Sequence, residues 1–121
     1  MATVEKYLVL FPDGSMRWIH TDRANMYSAF REVIGCDCLE CVTFPFGFCC
    51  MVDELGKVKT EPQPLNPLAS LFYRGTAYGD PLVGAVVFFR IGRVNGEYDC
   101  VPLSERELHI IETVIGRRVP Q

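Results

Sequence analysis

An α+β fold follows from three features of the sequence. Short runs of β-branched and aromatic residues recur in pairs around turn dipeptides, Asp13-Gly14 and Asn95-Gly96, which is the pattern of antiparallel hairpins. Two segments instead repeat apolar residues every three to four positions and end on Gly35 and Gly116, as amphipathic helices do. The chain has 121 residues, enough for one core and too few for two. The expectation is a compact single domain over residues 1–121: a mainly antiparallel β-sheet built from hairpins, packed by two main α-helices and one short helix.

The elements follow in order. Residues 5–11, EKYLVLF, read as a strand, and PDGS at 12–15 as a turn in which Gly14 accepts a positive φ. MRWIH at 16–20 returns, with Met16, Trp18 and His20 on one face and Arg17 and Ile19 on the other. Residues 21–35 predict a helix capped by Thr21 or Asp22, with Met26, Ala29, Phe30, Val33 and Ile34 as its buried stripe and Arg23, Arg31 and Glu32 facing water. Two strands at 38–44 and 48–52 flank PFG, and DELGK at 53–57 makes another turn. Residues 60–84 are the least regular stretch. Asn66 and Pro67 predict a short helix over 67–73, as cap and first helical residue. AVVFFRIG at 85–92 reads as a central strand, and the Asn95-Gly96 turn leads to a strand near 98–101. In the last helix Ser104 and Glu107 form a capping box, and Leu108, Ile111 and Ile115 its apolar stripe.

Composition excludes several classes of function. At 49% hydrophobic and 22% charged residues, the chain has the apolar content to fold rather than stay disordered. A net charge of −3 lacks the basic surplus of a general nucleic-acid binder. The first residues carry no secretory-signal pattern and no apolar run is long enough to span a bilayer, so a cytoplasmic protein with reduced thiols and no membrane contact is expected.

Five of the six cysteines fall in GCDCLECVTFPFGFCC, residues 35–50. Structural zinc needs ligands converging on one point, usually as paired C-x(2–4)-C motifs. Here strand alternation sends Cys38 and Cys41, and Cys49 and Cys50, to opposite faces. A cysteine nucleophile needs a base, and His20 and His109 stand in no nucleophile motif. The thiols are therefore expected to serve a hairpin core as small apolar side chains, with no metal and no catalytic residue.

The glycine-rich phosphate motifs are absent as well, and no cofactor is expected. Asn66, Ser70, Tyr73, Arg74, Thr76, Tyr78 and Asp80 instead concentrate polar and aromatic chemistry within fifteen residues. Arginine supplies a fork matched to phosphate or carboxylate, and tyrosine a stacking face with a hydroxyl. Gly75 and Gly79 let a ligand approach the backbone. Two readings stand side by side: a ligand-binding loop, and an Ω-type loop that plugs one end of the sheet.

The runs REVIGCDCLECV, MVDELGKVKTEPQPLNPLAS, NPLASLFYRGTAYGDP, VGAVVFF and VPLSERELHIIE occur in this order between residues 31 and 112, within a resemblance that covers about residues 7–112. In these the chain is similar to a domain-of-unknown-function family of small proteins found mainly in phages, plasmids and other mobile elements of bacteria. Cys41, Cys49 and Cys50 stand where the family has apolar residues. The resemblance implies no reaction and no catalytic residues. It does imply a setting, the host bacterial cytoplasm, in which such proteins often blunt host defence. The leading expectation is a non-enzymatic homo-oligomer that sequesters a small anionic, nucleotide-type signalling ligand at the loop. The alternatives are a protein–protein inhibitor of a host defence factor and a hydrolase of a signalling nucleotide.

Overall fold

The computed structural model describes residues 3–121. Six strands form one antiparallel sheet: β1 (Glu5–Leu10), β2 (Met16–Thr21), β3 (Leu39–Thr43), β4 (Cys49–Asp53), β5 (Val86–Val94) and β6 (Glu97–Val101). The order is β2-β1-β5-β4-β3, and β6 pairs with the far half of β5. Helices α1 (Met26–Ile34), α2 (Pro67–Ser70) and α3 (Glu105–Ile115) complete the α+β domain, together with a 3₁₀ turn at Arg74–Tyr78.

Both faces of the sheet are covered, which is why all five residues of β4 are buried. Tyr7, Val9, Cys49, Met51, Val87 and Phe89 pack with Met26, Phe30 and Ile34 of α1. On the opposite face Leu8, Leu10, Cys50, Val52, Val86 and Phe88 meet Phe72, Ala69 of α2 and Ile111 of α3. There Phe44, Phe48, Phe72 and Phe88 form an aromatic knot, with ring centroids 5.6–6.1 Å apart and mostly edge to face.

The Asp13-Gly14 turn forms with Gly14 at φ 87°, and Asn95-Gly96 turns with both residues at positive φ. The Ser104–Glu107 capping box is complete. The first helix starts later than its predicted caps. Asp22 Oδ1 accepts from the Asn25 amide at 2.9 Å, closing a turn ahead of α1, whose own N-cap is Asn25. Arg23 does not simply face water. Its guanidinium pairs with Glu5 at 2.9 Å and Asp99 at 3.0 Å, tying this turn to β1 and β6.

The cysteine-rich hairpin is only partly core. All six thiols are free; Cys49, Cys50 and Cys100 are buried, and Cys38 and Cys41 are exposed. Cys41 departs from its expected core position because β3 is an outer strand, of which only Val42 is buried.

Candidate functional site

The segment from Pro64 to Gly84 is a loop closed on itself. An isolated bridge joins Leu65 to Val83, the Asn66 amide donates to Leu82 O at 2.9 Å, and Gly84 N donates to Pro64 O at 2.8 Å. Its two ends are thereby fixed against each other, just ahead of β5.

Asn66 sits at the closure, fully buried. Its side-chain amide donates to Leu10 O at 3.0 Å and to Gly84 O at 2.9 Å, while Oδ1 accepts from Ala69 N and caps α2. Ser70, one helical turn on, donates from Oγ to Asn66 O at 2.7 Å and accepts from Leu82 N at 2.9 Å. Thr76 Oγ1 donates to Ser70 O at 2.9 Å. These three side chains spend their hydrogen bonds on the fold.

The short helix ends at Ser70, earlier than the expected residue 73, and Leu71 turns out to solvent. Residues Arg74–Tyr78 then wind as a 3₁₀ turn that Gly79 stops in the left-handed region at φ 78°. The half-buried Tyr73 ring lies across Gly75 so closely that a Cβ there would stand 2.2 Å from the ring. A side chain at 75 would force the Tyr73 ring to move, so this contact within the loop favours glycine there.

Tyr73 and Asp80 rim a groove of about 250 Å³ whose other walls include Lys57, Glu40, Asp53 and Glu54. Lys57 pairs with Asp80, and this hydrogen bond holds the Asp80 carboxyl below its ordinary range. Burial, then the Asp80 charge, push the Tyr73 phenol up. Asp53 is buried and engaged by Lys59, the Leu55 amide at 2.9 Å and Gln63 Nε2 at 3.4 Å. Lys57 and Lys59 offset Asp80 and Asp53, and Glu40 and Glu54 leave this concave surface acidic, an environment that repels an anion.

Arg74 and Tyr78 point elsewhere. Tyr78 is 88% exposed, and among the described residues Arg74 makes no ion pair. The seven expected residues thus split into a buried set of Asn66 and Ser70 with Thr76 bonded to them, a groove pair of Tyr73 and Asp80, and an outward pair of Arg74 and Tyr78. Lys57 and Leu71 belong to this region and were not expected there. The helical phase offered a signal, since Asn66, Ser70 and Tyr73 share one side of a turn and Leu71 and Arg74 another.

Three of the six thiols are poorly placed for nucleophilic work. Burial pushes Cys100 up to about 11 and pushes the fully buried Cys50 up too; Cys41, exposed as a residue, is raised by the partial desolvation of its thiol and by the neighbouring Cys49, so all three stay protonated at neutral pH. Among the described residues no group of three His, Cys, Asp or Glu side chains is arranged to hold a metal ion.

A family model described as Domain of unknown function (DUF3846) matches residues 6–114. The chain belongs to this family. No curated protein and no solved structure matches it. The DUF3846 span takes in the whole sheet except Glu5, and α3 except Ile115, so the closed loop lies inside the family's domain.

Proposed function

We propose that this DUF3846 protein is a non-catalytic binding protein that docks on a protein partner through the outer side of its closed loop, with Arg74 and Tyr78 as anchors. One observation carries the reading: the loop's inner polar atoms are consumed by the fold, while Tyr78 stands 88% exposed beside an arginine that makes no ion pair among the described residues. Tyrosine and arginine are the residue types that most often carry protein–protein binding energy. A small-molecule site would instead enclose its ligand in a concavity, and the nearby concavity is acidic. In the setting the resemblance implies, a mobile element's product in a bacterial cytoplasm, the partner is a host defence factor.

Arg74, without an ion pair among the described residues, also favours the second reading, a sponge for a small anionic nucleotide. One paired experiment tests both. Affinity purification from bacterial lysate, with wild type and an Arg74→Ala/Tyr78→Ala variant compared by quantitative mass spectrometry, is expected to give a partner enriched by wild type and lost in the variant. Identical enrichment removes the loop from the interface. In parallel, the protein is incubated with cyclic and NAD-derived nucleotides and then denatured. Depletion with intact recovery supports the sponge, altered product a hydrolase, and no depletion the protein partner.

A further inference from the structure

The sheet ends on one side at β2. All six of its residues pair with β1 in an unbroken antiparallel register, from Leu10↔Met16 to Glu5↔Thr21. In such a ladder, residues that bond the neighbouring strand alternate with residues whose N–H and C=O point away from it. The Phe11 amide donates to Ser15 O at 2.9 Å, which sets the phase. Arg17, Ile19 and Thr21 therefore spend their backbone groups on β1, whereas Met16, Trp18 and His20 turn theirs to the open edge. Leu10 agrees with this phase, because its carbonyl turns away from β2 to accept from Asn66. No described strand pairs with the open side of β2.

The two flanks of this edge differ. Toward α3 it is walled by the chain's own tail, where Trp18 Nε1 donates to Pro120 O at 2.7 Å and Arg117 donates to Gly14 O. Toward α1 an open groove of about 480 Å³ runs alongside, lined by Arg17, Trp18, Ile19 and His20 from the strand and Ala29, Glu32 and Val33 from the helix. Ile19, Ala29 and Val33 give it an apolar floor. Arg17 rests over the Phe11 ring at 5.5 Å and has no ion pair among the described residues. Edges kept from pairing are blunted by charged side chains, proline, a bulge or a covering segment. β2 has no proline and no bulge, its one formally charged side chain is Arg17, and the tail covers it on the α3 side alone.

We propose that β2 is a β-augmentation edge that takes an extended segment of a protein partner as an added antiparallel strand. Residues directly opposite each other share a face, so the segment places one side chain over Ile19 and another, two residues later, over Arg17. The first is apolar, to fill the space toward Ala29 and Val33, and the second acidic, to pair the guanidinium. The recognised pattern is apolar-x-acidic, held by main-chain hydrogen bonds to Trp18 and His20. This surface is separate from Arg74 and Tyr78 and does not depend on their role.

The test starts from the full chain carrying Arg74→Ala/Tyr78→Ala, so that failure at the loop cannot be mistaken for failure here. A random dodecapeptide library is selected on it, and binding of the enriched peptides is measured by fluorescence anisotropy. An apolar-x-acidic consensus is expected. His20→Pro removes an N–H that points out from the sheet and serves no bond within it, and should weaken binding roughly tenfold, the effect of one lost hydrogen bond. Arg17→Glu, at an exposed side chain, should switch the selected position from acidic to basic, and reports on the edge even if proline disturbs the strand. The proposal is overturned by selection without this consensus, or by affinities that neither substitution changes. It is equally overturned if sedimentation shows a wild-type dimer that His20→Pro dissociates, which would make a second copy the occupant.

Discussion

Residues 36–50 and 66–80 both look rich in chemistry, and both divide into inner and outer sets, yet their inner sets do opposite work. In the hairpin, Cys49 and Cys50 are buried among Phe89, Met51, Val52 and Phe88 and contribute shape. In the loop, Asn66 and Ser70 are as deeply buried but contribute partners, each bonded to backbone on two sides. Polar atoms that replace water one for one leave nothing to substitute, whereas a buried thiol can be exchanged for another apolar group of its size. Density of reactive residue types thus says little until the hydrogen bonds are counted.

The largest test of that contrast is Asn66→Ala. It strands Leu10 O, Gly84 O and the α2 cap at Ala69 N in a buried site, and should cost about 3 kcal/mol in denaturant unfolding. Asn66→Asp should do no better, because it turns both donors into acceptors facing carbonyl oxygens. A loss under about 1 kcal/mol would break the comparison.

Asp53 sharpens it through pH. Burial acts to raise its pKa, but bonds from Lys59, the Leu55 amide and Gln63 outweigh burial and hold the carboxyl below its ordinary value of 3.8. A depressed folded pKa adds stability that is fully present above the unfolded value and is lost as pH falls through the folded one. Stability should therefore decline below about pH 4. Asp53→Asn should flatten that acid limb and cost about 2 kcal/mol at neutral pH, read from urea midpoints across pH. An unchanged limb would assign the acid sensitivity to other carboxylates.

The hairpin supplies the smaller counterpart. Cys50→Val, in a site bordered by Val42, Val52 and Phe88, should cost less than about 1.5 kcal/mol, as near-isosteric apolar exchanges do. A loss matching that of Asn66→Ala would mean the thiol contributes more than volume.

Much of the fold was legible because its signals are local. Asp13-Gly14 and Asn95-Gly96 each set a hairpin, Ser104 with Glu107 set the start of α3, and Asn66-Pro67 set α2. The start of α1 was not, since Asp22 caps a turn that the helix does not continue. Nor was the 3₁₀ turn, whose five residues leave no apolar period to detect. Cys41 was misplaced because alternation gives the face of a residue but not which strand ends the sheet. The candidate residues were found as a cluster; their sorting into inner and outer sets required the bridge at Leu65–Val83, a contact between distant positions.

The smallest expected effect on stability is the most informative for function. Arg74→Ala and Tyr78→Ala remove side chains that make no hydrogen bond or ion pair among the described residues and, at Tyr78, almost no burial. Each should change unfolding free energy by no more than about 0.5 kcal/mol, as exposed substitutions do. Thermal unfolding followed by the fluorescence of Trp18, the chain's one tryptophan, checks this directly. A residue held for the fold would show its loss there. An exposed tyrosine and arginine whose removal leaves the fold untouched, yet abolishes capture of a partner, are held on the surface by what they bind. A clear loss of stability on removing either would instead place it with Asn66 and Ser70, and make the whole loop a plug.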